Sequence, residues 1–382
     1  MAEKMWTRSI INTCGEAERE SKSRKFNIIE AFAVMTFTLV VLWVVQYPFG
    51  VLLKMKAVNN VGNVLLFAGA MYLLFVSPFV HRDTLASWGL GDPVALWRRL
   101  SGGGSPAGLR DGSGSGRLLL GAIVITVTVC LAGIFYWQWV EASDFLFDMK
   151  TERALEIKQG LLGKAGVLLL GLVLATFLAT CVIRYDNFFS ALFTAIKIIA
   201  VLGGLLYLAA IGTMGTKAFA DFHAPKFALD VFGYVIWGAI QQLLFCSYFG
   251  TRIRKGFAPA QDPARRTRKR FWVAVLTGLF FGLIHINSWY LVAVTWLLGI
   301  FLSYVFMADK NRNLIALGFV HGFLGSSVGW LFSRGKGNIE VEMGVGPGHI
   351  HGFDLPTVLV VAPLIIGFMI FMIYAWRTWR EE

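Results

Sequence analysis

Charged residues are scarce in this sequence. They make up 15% of the 382 residues, whereas hydrophobic residues make up 56%, and the mean hydropathy is +0.64. A soluble globular chain carries roughly a quarter charged residues, so the scarcity excludes an ordinary soluble domain. Long uncharged runs recur instead. They predict an all-α polytopic membrane protein, because each run is long enough to cross a bilayer as a helix.

Cysteine is also rare. The chain has four, Cys14, Cys130, Cys181 and Cys246, scattered along its length. Their spacing matches neither a disulfide framework nor a cysteine metal site. We therefore expect neither feature in this protein.

Acidic residues are outnumbered by basic ones, 23 to 35, which gives a formal net charge of +12. No nucleic-acid motif accompanies the basic residues, and they lie in segments between the apolar runs. We therefore expect no nucleic-acid partner and assign these residues to membrane topology and to contact with membrane lipids.

About ten apolar runs have the length of a membrane span. They cover residues 27–50, 61–80, 118–140, 161–183, 188–212, 231–250, 271–288, 289–308, 313–333 and 356–376. With this count, the basic clusters all fall on one side, which predicts that both termini are cytosolic. The polar start of the chain is not typical of a cleavable signal peptide. The pattern suits a bacterial inner membrane.

Four regions follow from this reading. A cytosolic N-terminal segment, 1–26, precedes helices at 27–159 that are interrupted by a flexible Gly/Ser-rich cytosolic loop at 101–116. A membrane core is predicted at 160–333, followed at 334–382 by an outer loop and a C-terminal helix. No internal repeat is evident.

Polar residues inside the predicted spans are expensive in lipid and suggest function. Between residues 231 and 333 the spans contain no Asp, Glu, Lys or Arg apart from the terminal Arg252 region, and Glu30 is placed near the inner surface. The spans do contain Gln241, Gln242, His285, Asn287 and His321. Polar groups on separate helices predict a shared interior chamber.

Three motifs carry a resemblance to a known family. They are QQLLFC at 241–246, FGLIH at 281–285 and HGFLG at 321–325. In this order they resemble the Glu-Glu-x-x-x-Arg, Phe-x-x-x-His and His-x-x-x-Asn motifs of the CPBP intramembrane metalloproteases, relatives of the type II CAAX prenyl endopeptidases. The stretch TLASWGLGDP at 84–93 is similar to a turn that many members place before the core. The resemblance implies a CPBP-like helical core at 160–333.

The departures from the family pattern bear on activity. Gln241 and Gln242 stand where the resemblance places two glutamates, Cys246 stands for the arginine, and Gly325 for the asparagine. Glutamine has no titratable oxygen, cannot act as general base and is a poor ligand for a divalent cation. Losing the acids and the arginine together leaves a neutral site that costs less to bury. We therefore expect no catalytic residue, no metal and no cofactor.

The favoured function is that of a catalytically inactive CPBP-family protein. It would act as a scaffold, regulatory or assembly subunit through its polar pocket, with a membrane-protein partner. Gly325 and Gly329 follow His321 at four-residue spacing, so all three lie on one face of their helix. The two glycines are the predicted partner-binding residues.

Two alternatives stay open. In the first, the protein is an active intramembrane metalloendopeptidase in which His285 and His321 hold zinc and act with a replacement acid. The loop residues His349 and His351 would help to rebuild that site. In the second, it is a transporter or channel, supported only by the number of spans and the buried polar groups.

Overall fold

The computed structural model describes residues 23–102, 114–147, 149–220, 222–257, 262–286 and 289–331, together with isolated positions between 366 and 377. All regular secondary structure in these residues is helical, which confirms the all-α class. The helices are α1 Ser23–Leu52, α2 Lys56–Val80, α3 Pro93–Ser101, α4 Gly114–Trp137, α5 Trp139–Phe147 and α6 Thr151–Gln159. They continue with α7 Leu161–Val182, α8 Phe188–Phe219, α9 Ala224–Gly256, α10 Pro263–Leu283, α11 Trp289–Met307 and α12 Leu314–Leu331.

Seven of these helices are long and apolar enough to cross a membrane: α1, α2, α4, α7, α8, α9 and α12. The protein is therefore an integral membrane protein. The predicted count of ten is not reproduced within the described residues. The predicted span 271–288 corresponds to α10, whose first turns are a run of basic residues. The predicted span 289–308 corresponds to α11, whose apolar part Val292–Met307 is shorter than the seven spanning helices. The predicted span 356–376 lies outside the continuously described segments.

Local capping explains where several helices begin. Asp92 precedes α3, and its Oδ1 accepts hydrogen bonds from the amides of Val94 and Ala95 at 2.9 and 3.1 Å. Asp262 precedes α10 and accepts from the amide of Arg265 at 3.2 Å. In both cases proline follows the cap. It is well suited to the first helical position because its fixed φ fits a helix and its missing N–H would have no helical acceptor there.

The contacts divide the chain into two units, residues 89–188 and residues 1–88 with 189–382. In the first unit, Trp139, Ala154 and Val167 form a small core. The Trp139 indole donates to the carbonyl of Ala154 at 2.9 Å, which satisfies the one polar group of a buried ring. The domain limits predicted from the sequence remain predictions.

The larger unit contains the candidate site. In its main apolar core, one face of α8 packs against residues of α11 and α12. The residues of that face recur at helical spacing and are Ala191, Ala195, Ile198, Leu202 and Leu206. The helix α12 is the most enclosed of the candidate spans, with 61% of its apolar window buried. The chain therefore places His321 on a central helix.

Two glycines allow α9 and α12 to approach closely. A Cβ on Gly322 would lie 2.5 Å from the amide nitrogen of Val235, and one on Gly238 would lie 2.9 Å from Cβ of His321. Small residues at such crossings are a common way of packing helices in membranes. This contact brings the Gln241–Gln242 pair, in the middle of α9, beside His321.

The two glycines predicted to bind a partner differ in their surroundings. A Cβ on Gly325 would lie 3.3 Å from the ring of Tyr234, so this residue packs within the chain. Gly329 has open space around it and is exposed. Their role in partner binding remains a prediction.

Candidate functional site

The adjacent glutamines lie at the end of the regular part of α9, where the helix widens. Gln242 is fully buried and Gln241 is 8% exposed. From Leu243 to Phe249 the backbone continues as a π-helix that contains Cys246. Such widened turns occur often at functional sites.

The Gln242 amide makes two hydrogen bonds, one to α12 and one within α9. Its Nε2 lies 3.1 Å from Nδ1 of His321, and its Oε1 accepts from the Cys246 thiol at 2.9 Å. Because the amide nitrogen can only donate, Nδ1 of His321 is the acceptor and the ring proton is on Nε2. The Cys246 sulfur also lies 3.6 Å from the hydroxyl oxygen of Ser303 on α11. The predicted motif residues Gln242, Cys246 and His321 are thus joined directly.

His285 lies just after α10 and is 4% exposed. Its Nδ1 is 3.0 Å from the carbonyl oxygen of Phe281. Since a carbonyl only accepts, Nδ1 carries the proton and Nε2 has the lone pair. The Phe281 ring lies 5.5 Å from the His285 ring and 6.0 Å from that of His321, centroid to centroid. The first residue of the FGLIH motif therefore fixes one histidine and contacts both.

Gln241 contributes an unsatisfied group. Its Oε1 is buried and has no hydrogen-bond partner within the described part of the chain. A buried carbonyl oxygen in that state has lost its water without replacement, at a cost of about 1–3 kcal/mol. A group bound beside it could supply the missing donor.

No group of three or more His, Cys, Asp or Glu residues within the described ranges could hold a metal ion. The loop histidines His349 and His351 lie outside those ranges. The rebuilt metal site that would include them stays a prediction.

A second polar cluster was not predicted from the sequence. Arg252, fully buried at the end of α9, donates to Asp83, to the Ser77 hydroxyl at 2.8 Å and to Asn27 Oδ1 at 3.2 Å. Its Nε is also 3.4 Å from Oε1 of Glu30. The sequence predicts Glu30 near the inner surface and Arg252 at the terminus of a span. The structure adds that both side chains are buried and paired with each other.

The carboxylates of this cluster have further donors. Glu30 accepts from Ser77, from His81 at 2.6 Å and from the Tyr248 hydroxyl at 2.9 Å. Asp83, outside the spans, also binds Lys255. Burial would raise the pKa of Asp83, but hydrogen bonds from Arg252 and Lys255 outweigh it, and the pKa lies below its ordinary value. One feature of the sequence does indicate this cluster. Glu30 is an acidic residue within an apolar run, and such a residue usually has a buried partner.

The first part of the turn at 84–93, as far as Trp88, is attached to the same part of α9. The Ser247 hydroxyl donates to the carbonyl of Trp88 at 2.6 Å, and the Trp88 and Tyr248 rings lie 6.1 Å apart. Ser247 and Tyr248, which follow the amide pair, thus contact the turn at Trp88. Tyr248 and Arg252 bind Glu30 of the buried cluster.

Comparison with protein families shows that residues 255–327 match the family described as type II CAAX prenyl endopeptidase Rce1-like. This segment includes the FGLIH and HGFLG motifs and begins after QQLLFC. The match confirms the resemblance drawn from the motifs. No curated protein and no solved structure matches the chain.

Proposed function

We propose that this chain, which is similar to the Rce1-like family over residues 255–327, is a non-catalytic CPBP-family membrane protein that works by binding. One observation carries this proposal. The Gln242 amide donates to Nδ1 of His321 and so uses the only lone pair of that neutral ring. A metal would need the same lone pair.

A glutamate at position 242 would have the opposite effect. Its carboxylate would accept a hydrogen bond from Nδ1–H, which would put the lone pair on Nε2, the arrangement in which carboxylates commonly support metal-bound histidines. In the amide orientation of this structure, Gln242 instead leaves the His321 proton on Nε2. The described site then offers one free imidazole lone pair, on Nε2 of His285, whereas catalytic zinc sites use three protein ligands. These residues do not fit zinc, and within the described part of the chain no carboxylate joins them as a possible general base.

A binding role accounts for the remaining polarity. The unsatisfied Oε1 of Gln241 gives the chamber one acceptor for an N–H or O–H donor. A membrane-embedded partner segment with a side-chain donor or an unwound turn could supply it. We therefore propose a scaffold, regulatory or assembly subunit. We place it in a bacterial inner membrane with both termini cytosolic, as the basic segments predict.

The catalytic part of the proposal is tested by metal content and peptide cleavage. We expect the purified protein to hold far less than one zinc per chain and to leave a prenylated CAAX peptide intact. Gln242→Glu alone should remain inactive and be less stable, because Cys246 cannot balance the new charge. The triple change Gln241→Glu, Gln242→Glu and Cys246→Arg should bind more zinc than either, since it restores the carboxylates and their counter-ion.

The opposite result is equally clear. Stoichiometric zinc in the unmodified protein, with cleavage that His285→Ala abolishes, would establish the active protease. The proposal of a non-catalytic protein would then be wrong.

The binding part needs a separate measurement. A partner that copurifies from the native membrane at a fixed stoichiometry should be lost or reduced in Gln241→Leu. Thr277→Val is the matched control, because it also removes a buried polar group, but one whose hydrogen bond stays within its own helix, to Val273 at 2.8 Å. Equal recovery from Gln241→Leu and the control would contradict partner binding at this chamber.

A further inference from the structure

A pocket opens where α1 begins and α2 ends. It is lined by Ser23, Phe26, Val80, His81 and Arg82 and has a volume of about 420 Å³, within the range of small-ligand sites. One wall is fixed by two contacts of His81, whose ring stacks on Phe26 at 4.9 Å and whose Nε2 is bonded to Glu30. The pocket therefore lies at the end of two candidate spans and is distinct from the histidine chamber.

Arg82 is held in an unusual conformation at this pocket. Its φ is +51°, in the left-handed region where glycine is the usual residue and other residues cost roughly 1–2 kcal/mol. The side chain is exposed, and among the described residues it makes no hydrogen bond or ion pair. An exposed arginine thus occupies a backbone conformation in which glycine would be more stable.

The carboxylates next to Arg82 are already neutralised. Asp83 is paired with Arg252 and Lys255, and Glu30 with Arg252 and His81. Both acids are buried, with side chains 1% and 4% exposed. Among the described residues that line the pocket, Arg82 therefore supplies the exposed positive charge.

We propose that this pocket binds the phosphate of an anionic lipid headgroup. The planar guanidinium of Arg82 matches two phosphate oxygens at once, and the Ser23 hydroxyl adds a donor. Phe26 and Val80 give the same pocket an apolar side, which suits the glycerol and first methylenes of a lipid. A lipid is favoured over a free phosphate because both lining helices are candidate spans that end there, at the depth of headgroups.

Binding can be measured on the purified full chain in detergent by native mass spectrometry, with short-chain phosphatidylglycerol and phosphatidylcholine as probes. We expect a preference for phosphatidylglycerol that falls about fivefold in Arg82→Gly, a change on the scale of one interfacial basic side chain. Arg82→Gly should be at least as heat-stable as the unmodified protein, because glycine relieves the positive φ. Lost binding can then not be attributed to misfolding.

Arg266→Gln is the matched control, since it removes an equally exposed arginine from the first turns of α10. It should keep the preference. An unchanged preference in Arg82→Gly, or an equal loss in Arg266→Gln, would overturn the proposal in favour of diffuse attraction. Competition by millimolar inorganic phosphate or glycerol phosphate would overturn it in favour of a free-phosphate site.

Discussion

Replacing Arg252 by methionine tests whether the buried cluster stabilises the larger unit. Arg252 is 0% exposed and donates to Ser77, Asn27 and Asp83 while lying 3.4 Å from Glu30. Arg252→Met leaves the carboxylates with fewer donors. Breaking a buried pair by removing one partner costs about 3–5 kcal/mol. At roughly 2–4 °C per kcal/mol, we expect the melting temperature in detergent to fall by on the order of 10 °C.

Two further variants show whether a lower melting temperature of Arg252→Met comes from the buried cluster. Arg254 is a half-buried arginine on the same helix, and its side chain makes no hydrogen bond within the described residues. Arg254→Met should therefore lower the free energy of unfolding by less than about 1 kcal/mol. Adding Asp83→Asn to Arg252→Met should recover part of the loss, because the double change removes both charges of one pair. If Arg252→Met melts no lower than Arg254→Met, the cluster does not stabilise the protein and the reasoning fails.

Three other expectations can be checked by thermal melting. Gly322→Ala should destabilise by about 1–3 kcal/mol because its Cβ would meet backbone at 2.5 Å, whereas Gly329→Ala, with open space, should be neutral or stabilising by up to about 1 kcal/mol. Asp83→Asn should cost a constant amount above about pH 4 and progressively less below it. The reason is that the lowered pKa of Asp83 gives the unmodified protein stability that is lost as the pH falls through that pKa. Ser247→Ala should cost about 1 kcal/mol, since the Trp88 carbonyl loses its donor; no change in melting would contradict this.

Hydropathy predicts seven of the helices, and the motifs contain two side chains, Gln242 and His321, that meet in the structure. Seven apolar runs form helices of spanning length, and Gln242 and His321 meet because their motifs lie on helices packed through glycine. The direction of the hydrogen bond between them could not be read from residue types. It depends on which atoms face each other.

The buried cluster was missed for a different reason. Its members are far apart along the chain, and a hydropathy window scores each charge as if it stood alone. The apolar run was ended at residue 250, whereas α9 continues to Gly256 and includes Arg252. A paired arginine costs less to bury than an isolated one, but the sequence does not show the partner.

The π-helical segment Leu243–Phe249 sets the angle between the two polar sites of α9. Each residue of an α-helix turns the chain by about 100°, and a π-helical turn, with its i→i+5 hydrogen bonds, holds about one residue more than an α-helical turn. A one-residue deletion there would close the segment to an α-helix and keep Arg252 facing Glu30 and Asp83, whereas a one-residue insertion would rotate Arg252 away from them. A second substitution can compensate a lost side chain, but it cannot restore that rotation. This part of the protein should therefore tolerate changes of residue, and the deletion of one, better than an insertion.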